Sequence, residues 1–445
     1  MPNPPEVAPV VALAASLLAG DDDLDSIVAR VTQTLGQEWP WLRPLAQRYV
    51  QAFSGKTRPR ACDVVEFLDN DRSLRRAWAY HKSKIAVASW MNAPQRMQPV
   101  PAAARWDLPP IESVPALAEW LGVTQDELDW FADLKTLTAK RVRQQLRHYH
   151  YTVLTKPGGG IRLIEAPKSR LKAMQRKILA EILDRVPPHP AAHGFVPGRS
   201  IKTFVAPHVG KRVVLKMDLQ NFFPSIHRAR IQTIFRTLGY PEPVADVLGG
   251  LCTTPTPRAI WKDHASKTDA DSLFQTRAFY ARPHLPQGAP TSPALANICA
   301  FRFDARLRGL AESATATYTR YADDLAFSGA TTFAKHVEKF STHVAAIVLE
   351  EGFAVQHRKT RIMRQAVRQK LVGLTVNQRP NITRTDFDRL KAILTNCIRH
   401  GAASQNRTAH PDFRAHLAGR IAFVEFLNPQ KAQRLRQLME QVSWV

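Results

Sequence analysis

The sequence predicts an α+β protein in which a small all-helical region comes first and a larger region of hairpins mixed with helices follows. Three observations predict it. Apolar residues recur at helical spacing through residues 1–91, short β-branched runs meet glycine turns from Tyr151 onward, and no repeat or low-complexity tract interrupts either region. At 445 residues the chain is also longer than one compact domain usually is, so two or three domains are expected.

The elements follow in order. "APVVALAASLLAG", from Ala8 to Gly20, has no Lys or Arg before it and Asp21 to Asp23 directly after it. That charge order is wrong for a secretory signal, so the run reads as a core helix. "DSIVARVTQTL" and "DVVEFLDNDRSLRRAWAYHKSKI" extend the helical pattern, which makes residues 1–91 an N-terminal helical domain. The Pro- and Ala-rich stretch "NAPQRMQPVPAAARWDLPP" places a linker over 92–112. "SVPALAEWLGVTQDELDWFADL" then gives two short helices, the second capped by Thr124 with Glu127 three residues on.

"RHYHY", with His148, Tyr149, His150 and Tyr151, reads as a hairpin edge or core packing rather than a binding cluster. "YTVLTKPGGGIRLIEAP" reads as strand, glycine turn, strand, and "RLKAMQRKILAEILDRV" as a helix. "KRVVLKMDLQNFF" is a buried strand ending in Asp218 by its β-branched content. "LPQGAPTSPALANICAFRFDARLRGLA" is a Pro/Gly turn running into one long helix, and "TRYADDLAFSG" is a strand, a tight turn and a strand. "KLVGLTVN" reads as a further strand, followed by helices in "RTDFDRLKAILTNCIRHG" and "FRAHLAGRIAFVEFL".

Formal net charge is +24, which points to a polyanionic partner. Eleven Lys or Arg stand against ten Asp or Glu through Asn92, so nearly all of the excess lies downstream. There is no long apolar span and no strongly amphipathic basic helix, which favours nucleic acid over a membrane surface. Cys62, Cys252, Cys299 and Cys397 lack CxxC spacing, so they read as reduced, buried thiols of a cytoplasmic protein rather than a zinc site or a disulfide framework.

The adjacent carboxylates of Asp323 and Asp324 repel one another unless a cation lies between them or water surrounds them. On the tetrapeptide "YADD" alone, a solvated turn and a metal site are equally good readings. Asp218 ends one expected strand and the doublet sits at an expected hairpin turn, so neighbouring strands of one sheet would bring the three together. Three such groups suit two Mg²⁺ ions, with Mn²⁺ able to substitute, in the two-metal chemistry of polymerases and nucleases.

These motifs, taken in order, resemble the reverse transcriptases, and among them the bacterial retron type with a long N-terminal region. The similarity runs from about Ser113 to the C-terminus. "VVLKMDLQNFFPSI" is similar to the first palm motif, "LPQGAPTSPALAN" to the template and nucleotide motif, "YADD" to the catalytic hairpin, "GFAVQHRKT" to the motif after it, and "KLVGLTVN" to the primer-grip strand. The resemblance implies a right-hand polymerase fold, with fingers and palm over 113–378 and a helical thumb with a C-terminal tail over 379–445. It makes Asp218, Asp323 and Asp324 the catalytic metal ligands.

By the same resemblance Phe223 is the steric gate against a ribose 2′-OH, and Gln287 and Gly288 contact the incoming nucleotide and template. Lys359 lies near the triphosphate, which Lys156 and Arg162 clamp from either side of the turn Gly158 to Gly160. Arg199, in "AAHGFVPGRSI", is a template or nucleotide contact. His208 remains from a segment that in retron enzymes usually reads NAxxH, with Phe204 and Val205 replacing the Asn and Ala. Leu371, Val372 and Gly373 stand where those enzymes carry VTG. Arg389, Lys391, Arg399, Arg414 and Arg420 lie on the thumb helices, where they would follow a duplex backbone.

The resemblance further implies a dedicated structured non-coding RNA as template and 2′-OH primer, dNTPs as substrates, and a branched RNA–DNA hybrid (msDNA) as product. It implies a role in antiviral defence with an effector protein. Little chain follows residue 429, which leaves no room for an RNase H domain, so a host RNase H is expected to remove the template. Two other readings stay open. One is another defence-associated reverse transcriptase, of the abortive-infection or unknown-group kind, making untemplated or protein-primed DNA; the other is an inactive RNA-binding scaffold.

Overall fold

The computed structural model describes residues 4–81, 84–140, 143–155, 161–264 and 277–444. They form two compact units, Met1–Pro187 with Phe223–Cys299, and Pro188–Phe222 with Ala300–Val445.

The first unit begins with α1 (Pro4–Leu18), α2 (Leu24–Leu35), α3 (Leu42–Phe53), α4 (Ala61–Asn70) and α5 (Arg72–His81). Leu13, Leu17, Ile27, Val31, Leu45, Val64 and Leu68 close a core of their own among these helices. The helical run that the sequence suggests from Asp63 onward is broken at Asp71. Its carboxylate accepts from Arg48 Nε (2.7 Å) and from the Leu74 backbone N–H (2.8 Å), so it caps α5 instead of continuing α4.

The Pro/Ala-rich stretch that follows is held along the unit by backbone bonds. Gln98 N donates to Gly239 O (2.8 Å), and Ala103 and Ile111 are buried. α6 (Val114–Leu121) and α7 (Gln125–Ala132) come next, and Thr124 and Glu127 form the expected reciprocal cap. The first hairpin is β1 (Tyr149–Thr155) with β2 (Ile161–Pro167), and α8 (Ser169–Glu181) follows it. Tyr149 and His148 are buried, so "RHYHY" is a packed hairpin edge. In chain order come α9 (Ile201–Val205), β3 (Val213–Asp218), α10 (Arg228–Thr237), α11 (Glu242–Cys252) and α12 (Ser292–Cys299). Of these, α10 to α12 complete the first unit.

The second unit is built on an antiparallel sheet of order β4-β5-β3-β6, with β4 at Ala316–Tyr321, β5 at Asp324–Gly329 and β6 at Arg361–Arg364. α13 (Phe301–Ser313) and α14 (Thr331–Glu350) cover one face, where Phe327 stacks on Tyr318 (4.8 Å between centroids) and meets Phe340 edge-on (5.2 Å). The expected single helix from the Pro/Gly turn is in fact two, because Ala300 leaves helical geometry (φ −85°, ψ 3°). The other face packs Val214 and Ala326 against Phe204 and Val205 of α9 and against α15 (Arg384–His400) and α16 (Phe413–Leu427), through Leu390, Leu394, Leu417 and Ile421.

Two further expectations change. "KLVGLTVN" is not one strand but a minimal hairpin, β7 (Lys370–Leu371) with β8 (Leu374–Thr375). Val372 (φ +41°) and Gly373 (φ +88°) both take the left-handed conformation that such a turn demands. The C-terminal tail contains another helix, α17 (Pro429–Glu440), which Pro429 and the Asn428 side chain start.

Gly239 tests how firmly residues 92–101 are fixed. Its φ is +100°, and a Cβ there would lie 2.2 Å from Pro99 N, which is backbone and cannot rotate away. Gly239→Ala is therefore expected to cost about 2–4 kcal/mol in chemical denaturation. Gly122→Ala, at φ +70° with nothing within 4 Å, is expected to cost only about 1 kcal/mol.

Candidate active site

β3 and β5 run antiparallel with Asp218 opposite Asp324, so both carboxylates leave the same face at the same end of the sheet. Asp323 occupies the two-residue turn between β4 and β5. Main-chain bonds fix the group, since Leu219 N donates to Asp323 O (2.9 Å) and Gln356 N to Asp218 O (2.7 Å). The other turn residue, Ala322, is held at φ +54°, a conformation a non-glycine residue enters only when its surroundings impose it.

The constraint comes from behind the turn. The Arg320 guanidinium, with no exposed surface, donates twice to the equally buried Asp304 carboxylate on α13 (2.7 and 2.6 Å) and once to the Ala322 carbonyl (3.2 Å). Tyr318 OH donates to the same carboxylate (2.8 Å). Alongside β4, His193 N donates to Arg320 O (2.7 Å) and Arg320 N to Ala191 O (2.8 Å). A Cβ on Gly194 would lie 2.7 Å from Ala322 N, so glycine permits this close approach.

Burial, and the charges of Asp218 and Asp324 next to it, raise the Asp323 carboxyl to about 6. Lys359 Nζ lies 3.0 Å from both Asp218 oxygens, and Lys216 Nζ lies 2.6 Å from Asp324 Oδ1. Carboxylate oxygens are the hard donors that Mg²⁺ takes, and like charges crowded enough to raise a pKa favour a bound cation, so the donor set fits that ion. Among the described residues no three or more His, Cys, Asp or Glu side chains are drawn into a ligand cluster. The two ammonium groups supply the positive charge instead.

The remaining residues singled out by sequence fall as follows. Phe223, Arg162, Gln287 and Gly288 belong to the other compact unit. Phe223 and Gln287 are half-buried and Arg162 is exposed on β2. Gln287 O accepts from Glu165 N (2.9 Å), and Gly288 has φ +134°. Lys156 and Gly158 to Gly160 lie outside the described residues. Arg199 donates to the carbonyls of Pro190 and Ala192, which pins its own loop. Arg389, Lys391, Arg399 and Arg414 are exposed on α15 and α16. Arg420 borders a cleft of about 520 Å³ together with Val372, Gly373, His416 and Phe423.

His208 needs correction as a nucleic-acid contact. It has no exposed surface, its ring nitrogens meet Ser328 Oγ (2.7 Å) and Thr319 Oγ1 (2.8 Å), and burial pushes it down to about 3. It is a neutral strut between β4 and β5. Sequence reasoning missed Arg320, Asp304, Lys216 and Gly194. The available signal was an arginine on the inward, apolar face of β4, which requires a buried acid somewhere else in the chain.

Comparison with known proteins completes the assignment. The sequence matches the reverse transcriptase (RNA-dependent DNA polymerase) family over residues 154–376. It is 42% identical over 339 residues to the retron Mx65 reverse transcriptase of Myxococcus xanthus, covering 75% of this chain and 72% of that one. The chain belongs to the bacterial retron-type reverse transcriptases. The retron Mx162 enzyme of the same organism is 34% identical over 81% of this chain and 73% of its own. The retron Ec86 enzyme of Escherichia coli is 30% identical over 68% and 83%. This reverse transcriptase is accordingly an RNA-directed DNA polymerase with the right-hand fold of its family, and such enzymes generally use divalent metal ions.

Two outcomes follow from the geometry. Arg320→Met strands the Asp304 carboxylate and is expected to cost about 3–5 kcal/mol in denaturation. Adding Asp304→Leu should restore most of that stability, yet primer extension should stay low in both variants because Ala322 O has lost its donor. Asp323→Asn should abolish extension while stabilising the metal-free protein. A carboxyl raised from 3.8 to about 6 contributes stability below pH 4 that is lost as pH rises through about 6. The variant's melting advantage in chelator should therefore be absent near pH 4 and reach on the order of 3 kcal/mol above pH 7.

Proposed function

We propose that this reverse transcriptase copies part of a dedicated, structured non-coding RNA from a 2′-OH of that same RNA, and so produces a branched RNA–DNA hybrid. The observation that carries this reading is the convergence of Asp218, Asp323 and Asp324 at one end of the sheet in a chain whose curated relatives are retron enzymes. In it the three aspartates hold two Mg²⁺ ions, which supply the activated primer hydroxyl and the stabilised leaving pyrophosphate when bound. Phe223 rejects ribonucleotides, while Lys156, Arg162, Gln287, Gly288 and Lys359 handle the dNTP. Arg199 and the exposed cations of α15 and α16 follow the template and duplex backbone. His208 keeps the hairpin beneath the site in register.

The departure from the retron NAxxH segment counts against the retron label but not against the polymerase one, because Phe204 and Val205 are both fully buried in the core of the second unit. It is a change of packing and leaves the carboxylates untouched. No helix among the described residues is long and apolar enough to cross a membrane. The N-terminal helical domain, whose charge is balanced, is assigned to docking an effector protein in phage defence, and a host RNase H removes the copied template.

The test is to purify the protein from its native host, wild type beside Asp323→Asn/Asp324→Asn, and sequence the attached nucleic acid after RNase, DNase or debranching treatment. A discrete DNA joined to RNA through a debranchable 2′,5′ linkage, absent from the variant, is expected. Unbranched or protein-linked DNA would assign the chain to the other defence polymerases, and RNA without DNA from either protein would leave only a scaffold.

A further inference from the structure

On β2 the inward positions are Leu163, Glu165 and Pro167, while Arg162 is exposed. The central inward side chain is thus a carboxyl group with no exposed surface. Burying it costs several kcal/mol unless each oxygen is partnered. Both oxygens are. Thr256 Oγ1 donates to one (2.7 Å), and Nε2 of His284, equally buried, lies 2.9 Å from the other. The second ring nitrogen of His284 lies 2.7 Å from the Arg282 carbonyl oxygen, which can only accept, so Nδ1 carries a proton. The contact between Nε2 and Glu165 then contains one further proton, and the couple is neutral overall whichever atom bears it. Tyr280 closes the pocket, its ring edge-on to His284 at 5.0 Å.

The backbone around this couple is equally tied. Glu165 N donates to Gln287 O (2.9 Å), and the Glu165 carbonyl lies 3.0 Å from the place a Cβ on Gly288 would take. His284 exchanges both main-chain bonds with Thr254 (3.1 and 3.2 Å), and Leu285 N donates to Ile226 O (3.0 Å). The turn that carries Gln287 and Gly288 is therefore anchored to the hairpin that carries Arg162. The anchor's core is directional rather than apolar, and an apolar filling would occupy the same volume without fixing the angle.

We infer that Glu165 and His284 are a positioning pair, which sets Gln287 and Gly288 against the β1–β2 hairpin and so governs how tightly the incoming dNTP is held. The inference rests on the proposed nucleotide role of that turn and of Arg162. The pair touches neither nucleotide nor metal and acts through the turn.

The test is steady-state extension of a DNA primer on an RNA homopolymer by the full-length enzyme, with active sites titrated and the affinity for primed template measured separately. Glu165→Leu and His284→Leu are expected to raise KM for the dNTP about tenfold, with kcat within about twofold and primed-template affinity unchanged. Glu165→Gln should stay within about twofold of wild type. Its amide N–H can donate to Nε2 while its carbonyl accepts from Thr256, which conserves the geometry without the charge. Should either single Leu variant fail to fold, Glu165→Leu with His284→Leu removes both polar groups together, and the raised KM must persist in it.

A lower melting temperature and fewer active sites, with wild-type KM in the sites that remain, would make the pair a purely structural element and overturn the inference. Gln287→Ala separates the two levels. Raised KM there beside wild-type KM in Glu165→Leu overturns the pair alone, and wild-type KM in Gln287→Ala overturns the nucleotide role of the turn and the inference with it.

Discussion

The second unit depends on one ion pair, Arg320 with Asp304. Neither group has any exposed surface, so each makes the other tolerable, and their twofold hydrogen bonding fixes the guanidinium plane. That plane decides where the third donor points, and it points at the carbonyl of Ala322. A turn of only two residues, one of them an alanine at φ +54°, has little intrinsic preference for this shape. With α13 holding Asp304 and Gly194 pressed beneath the turn, the shape is imposed from below and Asp323 is presented at its tip.

The same end of the sheet is electrostatically unfavourable on its own. Asp323 is raised to about 6 by burial and by its two acidic neighbours, so the folded chain stores repulsion where a cation would relieve it. Lys359 and Lys216 take up part of that repulsion by pairing with Asp218 and Asp324. Lysine suits the task better than arginine. A flexible ammonium can leave one carboxylate for a phosphate oxygen without losing a fixed fork of bonds, and Lys359 is well exposed.

What the sequence made legible was what local chemistry decides. The capping box at Thr124 and Glu127, the β1–β2 hairpin and the "YADD" turn follow from spacing and residue type, and they lie where those signals put them. The elements that differed were decided over longer range or by unusual dihedrals. Asp71 splits α4 from α5 because Arg48, 23 residues earlier, engages its carboxylate. β7 and β8 replace one strand because a valine accepts positive φ beside Gly373, which nothing in its apolar, β-branched character announces. At the site the aspartates were legible and their supports were not. Asp304 is one acid among many on a helical pattern, and only the fold reveals that an arginine 16 residues on needs it. His208 misled in the opposite direction, because a histidine near a motif carries no mark that says whether water can reach it.

Each unit therefore places a buried, directional polar couple behind a motif turn, Asp304 with Arg320 in one and Glu165 with His284 in the other. An apolar core would stabilise either place as well or better, since desolvating charged groups offsets most of their attraction. Apolar contacts, however, constrain distance far more than angle, and they allow a turn to rock on its support. Positioning a reacting group requires the angle as well, because a displacement of about 1 Å can cost about a hundredfold in rate. The two couples are best understood as stability given up for direction. The difference between them is consistent with that account: Arg320 spends its third bond on the turn's own carbonyl, whereas Glu165 reaches its turn through its own backbone N–H and through the ring of His284. In the first the polar side chain is itself the support, and in the second it orients a strand that is.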